Sequence, residues 1–167
     1  EPASGRLWTA NNRVVGGGAL ALLGDGGYGN GARARQIRDD LLAIEKASER
    51  DLLGVQLDDR AVFLTRWHER ALAALTPAAC ASAPRRSELR QVLETTWTGR
   101  ASVEGAAYRL VRDFRLACAR RVLEPLTLPC KRASQSFSIL DLRQREGPLW
   151  TLLDTRAAHL LDAAYAS

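Results

Sequence analysis

The sequence predicts a mainly α-helical sub-domain, preceded by a short N-terminal β segment and a glycine-rich loop. Three observations predict it. Apolar residues recur at three- and four-residue steps from Ala34 onward, the spacing of a buried helical stripe. Eight of the thirteen glycines fall between Gly16 and Gly31, where so permissive a backbone should form a loop. Prolines at 77, 125, 129 and 148 then punctuate the helical stretches. Residues 1–31 are therefore read as strand segment and loop, and residues 32–167 as one helical domain.

Each element has a local reason. Residues 6–15 are rich in aromatic and β-branched types and read as a short strand interrupted by the Asn11-Asn12 turn. Ala34, Ile37, Leu41 and Ile44 give the first helix its stripe. Ser48 followed by Asp51 resembles a capping box, opening a second helix that carries Leu52, Val55, Phe63, Trp67, Ala71 and Ala74 inward and stops near Pro77. A third helix uses Leu89, Val92, Leu93 and Trp97 and ends at Gly99. Ser102 is placed to cap a fourth, on which Ala107, Leu110, Val111, Phe114, Ala117 and Cys118 share a face, before Pro125 and Pro129 break it. A polar stretch from Lys131 to Glu146 has no clear pattern, and a last helical region runs from Leu149 to Tyr165. No internal repeat is present.

Composition narrows the function classes. A hydrophobic content of 46% suits a folded chain, and no apolar run approaches the roughly 18 residues that a membrane span needs. The start, Glu1-Pro2-Ala3-Ser4, has no signal-peptide pattern, and the lack of methionine suggests a processed or excised chain. A net charge of +5 raises nucleic acid as a partner. The basic residues argue against it: all but Lys46 and Lys131 are arginines, and many sit beside acids, as in Arg38-Asp39-Asp40 and Glu69-Arg70. Mixed runs of this kind form solvated helix faces. Cys80, Cys118 and Cys130 show no CxxC spacing, and His68 and His159 are far apart, so no zinc site is expected. One disulfide is allowed, but spacing does not assign it.

Two further patterns are weighed on chemistry. Gly24-Asp25-Gly26-Gly27-Tyr28-Gly29 matches GxGxxG, but a dinucleotide fold needs a second parallel strand after the following helix, and Ser48 onward reads as helix. A flexible loop is the better reading. Gln56, Asp58 and Asp59 fall within one turn of the second helix and are read as a polar clamp to the N-terminal segment, because a buried amide or carboxylate must be hydrogen-bonded. Trp67, Trp97, Phe114 and Trp150 sit at core-like spacing. On residue type alone, Asn11 would shape a turn and Arg33 would be a surface helix residue.

Five segments in order carry a resemblance. Gly5-Arg6-Leu7-Trp8-Thr9-Ala10-Asn11-Asn12-Arg13, followed by Arg33-Ala34-Arg35-Gln36-Ile37, resembles the β chain of the penicillin acylase (penicillin amidase) family. Val55-Gln56-Leu57-Asp58 resembles that family's Gln-x-Asp helix, and Trp97-Thr98-Gly99-Arg100 its Trp-x-Gly-Arg turn. Arg156-Ala157-Ala158-His159-Leu160-Leu161 resembles its Arg-Pro-x-His-Leu-Leu segment, with Ala157 in place of the proline. The resemblance implies an N-terminal nucleophile hydrolase of acyl-amide bonds, related to β-lactam and acyl-homoserine lactone acylases, bacterial and exported to the periplasm. In such enzymes a serine at the start of the β chain attacks the amide carbonyl with its own α-amino group as base. No Ser-Asn-x-Trp start occurs here, so the chain is expected to be a piece of the β chain, inactive alone.

The resemblance also assigns roles. Asn11 matches the residue whose side-chain amide donates to the oxyanion, and Arg33 an arginine that organises the pocket. The family's calcium-ligating aspartate corresponds to a place near Leu22, with Asp25 a loose substitute, so no cofactor is expected. The expected partners are the α chain and the rest of the β chain, an acyl-amide substrate, and further copies of the chain through faces left uncovered. No nucleic acid or membrane partner is expected. The rival reading from another class is a helical interaction or scaffold module without catalysis.

Overall fold

The computed structural model describes residues 2–24 and 26–160, and within them the chain is mainly helical with almost no strand. Nine α-helices follow one another among these residues: α1 (Gly17–Leu23), α2 (Ala32–Ala43), α3 (Glu49–Gln56), α4 (Val62–Ala74), α5 (Pro77–Ala81), α6 (Pro84–Thr96), α7 (Ala106–Leu123), α8 (Leu128–Ala133) and α9 (Glu146–Thr155). No described helix is long and apolar enough to cross a membrane. The chain divides into two compact units, one of residues 1–56 with 119–167 and the other of residues 57–118.

In the first unit the expected N-terminal strand is not formed. Residues 6–15 are extended but pair only through an isolated parallel bridge between Asn12 and Gly29. A strand needs a row of backbone partners, and here several polar groups are met by side chains instead. Ala10 N–H, for example, donates to Asn12 Oδ1 at 3.0 Å. The expected loop of residues 16–31 contains α1, whose sequence Gly-Gly-Ala-Leu-Ala-Leu-Leu buries no residue. The segment Ala19–Leu23 is thus helical, and the GxGxxG stretch lacks the preceding strand that a dinucleotide site requires; its Asp25 lies outside the described residues. α2 follows its predicted stripe, with Ala34 buried and Ile37, Leu41 and Ile44 half-buried.

The capping box forms as its spacing predicts. Ser48 N–H and Oγ–H both donate to Asp51 Oδ2, at 2.9 and 2.7 Å, while Asp51 N–H donates back to Ser48 Oγ at 3.3 Å. The helix it opens is shorter than expected. α3 stops at Gln56, and α4 starts afresh at Val62. The break lies at Asp58, whose carboxylate accepts from Arg60 N–H at 3.0 Å, an Asx-type turn that competes with helix hydrogen bonds. Moving the start changes the buried face: Leu64, Trp67, Ala71 and Leu75 are buried, whereas Leu52 is 43% exposed and Ala74 is exposed.

The second unit is organised around Trp67, which is fully buried and meets Phe114 edge-on with centroids 6.1 Å apart. Leu93 of α6 and Ala107 and Val111 of α7 are buried as well. Trp67→Ala would cost about 3–5 kcal/mol by the usual price of a large core deletion. α6 begins with Pro84 at its first turn and packs against α4 and α5. Its Arg90 Nη1 donates to Leu75 O at 2.7 Å and so satisfies a carbonyl at the C-terminal end of α4. Trp97 stacks on His68 with centroids 4.6 Å apart, and His68 Nε2 lies 3.0 Å from Leu93 O. Trp97 therefore serves packing, as its spacing predicts.

Two expectations for α7 need correction. Ser102 does not cap it: Ser102 Oγ accepts from Glu104 N–H in the preceding turn. The first turn of α7 is served by Thr96 of α6, whose Oγ1 accepts from Ala107 N–H at 3.1 Å. The buried face is also rotated. Ala107, Val111, Ala119 and Leu123 are buried, while Leu110 and Ala117 are exposed. α7 ends at Leu123, just before Pro125.

The last helix, α9, starts at Glu146 and takes Pro148 into its first turn, with Leu149 fully buried. It ends at Thr155, and Arg156, which caps it, adopts a positive φ of 47°. Ala158–Leu160 then form a short 3-10 turn instead of continuing the expected helix, and the rest of that expectation, including Leu161 and Tyr165, lies outside the described residues.

Candidate functional site

The N-terminal segment is tied to both ends of α2. Arg6 reaches the C-terminal end, where Nη2 donates to Ile44 O at 2.8 Å and Glu45 O at 2.9 Å and Nε donates to Leu41 O at 3.3 Å. These carbonyls belong to the frayed end of a helix that has no basic residue in its own last turn. Asn11 reaches the other end. Five extended residues span at most about 17 Å, close to the roughly 18 Å length of a twelve-residue helix. The spacing of Arg6 and Asn11 thus matches the length of α2.

At that N-terminal end, Arg33 Nη2 donates to Asn11 Oδ1 at 2.9 Å. The two residues singled out in the sequence are therefore in direct contact, and both are exposed. An arginine has only donors, so the oxygen of the Asn11 amide must face it. The Nδ2 group then points away, and among the described residues it has no hydrogen-bond partner.

The backbone fixes where this pair stands. Asn11 has a φ of 58°, in the left-handed region that asparagine tolerates better than most residues. Its carbonyl accepts a hydrogen bond from Gly29 N–H. The approach at Gly29 is close: an added Cβ would lie 3.2 Å from Asn11 O, which would have to give by a few tenths of an ångström. Just beyond it, Asn30 Oδ1 accepts from Ala32 N–H at 3.2 Å, and Gly31 takes a φ of 74° at the N-cap. That turn starts α2 one residue before Arg33. Asn12 has a different task from Asn11. Its Oδ1 accepts from Ala10 N–H at 3.0 Å and its Nδ2 donates to Arg13 O at 2.9 Å, so its side chain shapes the turn.

A residue far away in sequence completes the framework. Gln144 Nε2 donates to Tyr28 O and Gly29 O, both at 2.8 Å. Sequence reading left this polar stretch without pattern, and no local signal marks Gln144.

The acidic cluster has a structural role in the second unit. Asp58 takes a bidentate grip from Arg60, with Nε–Oδ1 and Nη2–Oδ2 both at 2.8 Å. Asp59 is ion-paired with Arg100, and the backbones are joined by Ala61 N–H to Gly99 O at 2.7 Å and Ala101 N–H to Asp59 O at 2.8 Å. Asp59 thus clamps onto the Trp97-Thr98-Gly99-Arg100 turn, where the sequence reading expected the N-terminal segment as partner. Gln56 is exposed at the end of α3.

No three His, Cys, Asp or Glu side chains among the described residues come together in a way that could hold a metal ion. Leu22, 87% exposed, has no side-chain oxygen at the place assigned to a calcium-ligating aspartate. Cys80, Cys118 and Cys130 form no disulfide with one another.

No curated protein and no solved structure matches the chain. The family model described as penicillin amidase matches residues 1–166, which is nearly the whole sequence. By that match the chain belongs to the penicillin amidase family.

Proposed function

We propose that this chain supplies the oxyanion donor of an amidohydrolase that cleaves acyl-amide bonds, with Asn11 as the donor and Arg33 as the residue that aims it. Family membership supports a hydrolase of the acylase type as the parent. The observation that carries the finer reading is the 2.9 Å contact from Arg33 Nη2 to Asn11 Oδ1.

Attack of a serine on an amide carbonyl places a negative charge on the carbonyl oxygen, and fixed N–H donors meet that charge best in a site closed to water. Nδ2 of Asn11 is such a donor. The guanidinium on Oδ1 draws electron density from the amide and strengthens Nδ2–H as a donor. Arg33 also stands in the first turn of α2, which has no acidic residue and where a cation faces the positive end of the helix dipole. That placement costs helix stability, so its value lies in what the guanidinium holds.

The serine and its amine belong to the resemblance and not to these 167 residues, which contain no Ser-Asn-x-Trp start. The chain by itself should therefore not turn over an acyl anilide. Its partners would be the rest of the acylase, a reading supported by the exposed apolar side chains of Leu7, Val14, Leu22 and Leu23. The periplasmic location follows the same resemblance. The test is Asn11→Ala in the complete parent enzyme, with kcat measured on a chromogenic acyl amide. A fall of about 10²–10³-fold is expected for loss of one oxyanion donor. A change of less than threefold, with the protein folded, would remove Asn11 from the site.

A further inference from the structure

We infer that Gln144 is a positioning residue for Asn11: its amide bridges the carbonyls of Tyr28 and Gly29 and thereby sets the direction of the oxyanion donor. The inference rests on the assignment of Asn11 as that donor.

The connection can be followed bond by bond. An amide Nε2 has two hydrogens, and Gln144 uses one on Tyr28 O and the other on Gly29 O, both at 2.8 Å. That fixes the plane of the peptide between residues 28 and 29. Gly29 N–H, in the same peptide, donates to Asn11 O, and residues 12 and 29 form the isolated bridge. Asn11 is held there at a φ of 58°, a conformation that needs support from its surroundings. Its side chain leaves that backbone toward Arg33. Gln144 is thus two hydrogen bonds away from the Asn11 backbone.

Packing alone explains little of this. Gln144 is exposed, and the bridge between residues 12 and 29 is isolated, with no sheet to enforce it. A lone pair of extended segments is marginal in water. A bidentate side chain arriving from 115 residues away supplies the missing constraint. Both of its donors go to carbonyls, so a carboxylate of the same shape would set oxygen against oxygen.

The experiment is a double-mutant cycle in the complete parent enzyme, comparing Gln144→Glu with Asn11→Ala and with both changes together. Misaiming a reacting group by about 1 Å can cost 10²-fold in rate, so Gln144→Glu should lower kcat by about 10- to 100-fold with KM changed much less. In the Asn11→Ala background it should cost almost nothing more, because the group it aims is gone. Gln144→Lys, which keeps N–H donors, should recover much of kcat. Gln144→Met, similar in size without donors, should repeat the loss without added charge.

The outcomes separate the two claims. Full loss in Asn11→Ala with normal kcat in both Gln144→Glu and Gln144→Met overturns the Gln144 inference alone. Normal kcat in Asn11→Ala overturns the oxyanion reading and the inference with it. Losses that multiply in the double variant, or failure of both Gln144 variants to fold by circular dichroism, overturn the inference in favour of a purely structural bridge.

Discussion

Arg33 grips the oxygen of the Asn11 amide, at 2.9 Å from Nη2, and so turns the amide nitrogen outward. The neighbouring asparagine does the reverse of a site residue. Asn12 spends both ends of its amide on the local backbone, at Ala10 N–H and Arg13 O. Under the oxyanion proposal, two adjacent residues of one type are divided between chemistry and architecture.

That division predicts opposite signatures. Asn11→Gly removes the donor but relieves the left-handed strain at φ 58°, since glycine reaches this region freely. It should lose about 10²–10³-fold in kcat while being roughly 1 kcal/mol more stable than Asn11→Ala. Asn12→Ala should lose about 1 kcal/mol of stability through its two hydrogen bonds, with kcat within a few-fold of the parent. Thermal melts and steady-state rates on the three variants decide it. Equal kcat losses at 11 and 12 would contradict the division.

Arg33→Met should separate rate from stability in a second way. Removing the cation from the first turn of α2 lifts an unfavourable dipole interaction of about 0.3–1 kcal/mol. It also frees the Asn11 amide to rotate, and a misaimed donor lowers kcat by about 10- to 100-fold. The variant should therefore melt no lower than the parent enzyme yet work more slowly. A variant that melts lower and works normally would place Arg33 among ordinary surface residues.

The capping box gives a prediction in pH. The Ser48 hydroxyl, and after it the Ser48 backbone N–H, hold the Asp51 carboxyl below its ordinary value of 3.8. A folded-state value below the unfolded one means that the box stabilises α3 above the unfolded value. That contribution is lost as pH falls through the lowered folded value. Titration of the Asp51 carboxyl carbon by NMR should give a midpoint below 3.8, and Ser48→Ala should move it upward. An unchanged midpoint in Ser48→Ala would show that the serine does not hold the carboxylate.

How legible these features were depends on sequence distance. The Ser48–Asp51 box is three residues long, and it forms as read. The stripe of α2 repeats locally, and it also holds. The break between α3 and α4 was missed because apolar periodicity continues across Leu57–Ala61, while the side chain of Asp58 turns the backbone. The cap of α7 was misplaced because its acceptor, Thr96, comes from another helix. α1 was hidden by glycines, whose propensity argues against helix. At the site, Asn11 and Arg33 could be named only through the resemblance, and their contact spans 22 positions. Gln144 could not be named at all, because a bond across 115 residues leaves no periodic trace.

The turn at Gly99 offers a last prediction, on what holds the two segments of the second unit together. Two candidates are available: the ion pair from Arg100 to Asp59, and the backbone pair that brings Ala61 N–H to Gly99 O at 2.7 Å. The ion pair is well exposed, with side chains 58% and 44% accessible, and such pairs contribute less than about 1 kcal/mol. The backbone pair depends on Gly99 holding a φ of 70°. A Cβ there would meet no atom within 4 Å, so the cost of alanine is conformational and not steric. Forcing an L-residue into that region costs roughly 1–2 kcal/mol. Gly99→Ala should thus lower unfolding free energy by more than Arg100→Gln does, and Gly99→Asn should fall between them, because asparagine tolerates positive φ. Urea denaturation of the three variants ranks them directly. A larger loss in Arg100→Gln than in Gly99→Ala would assign the clamp to the charges instead of the turn.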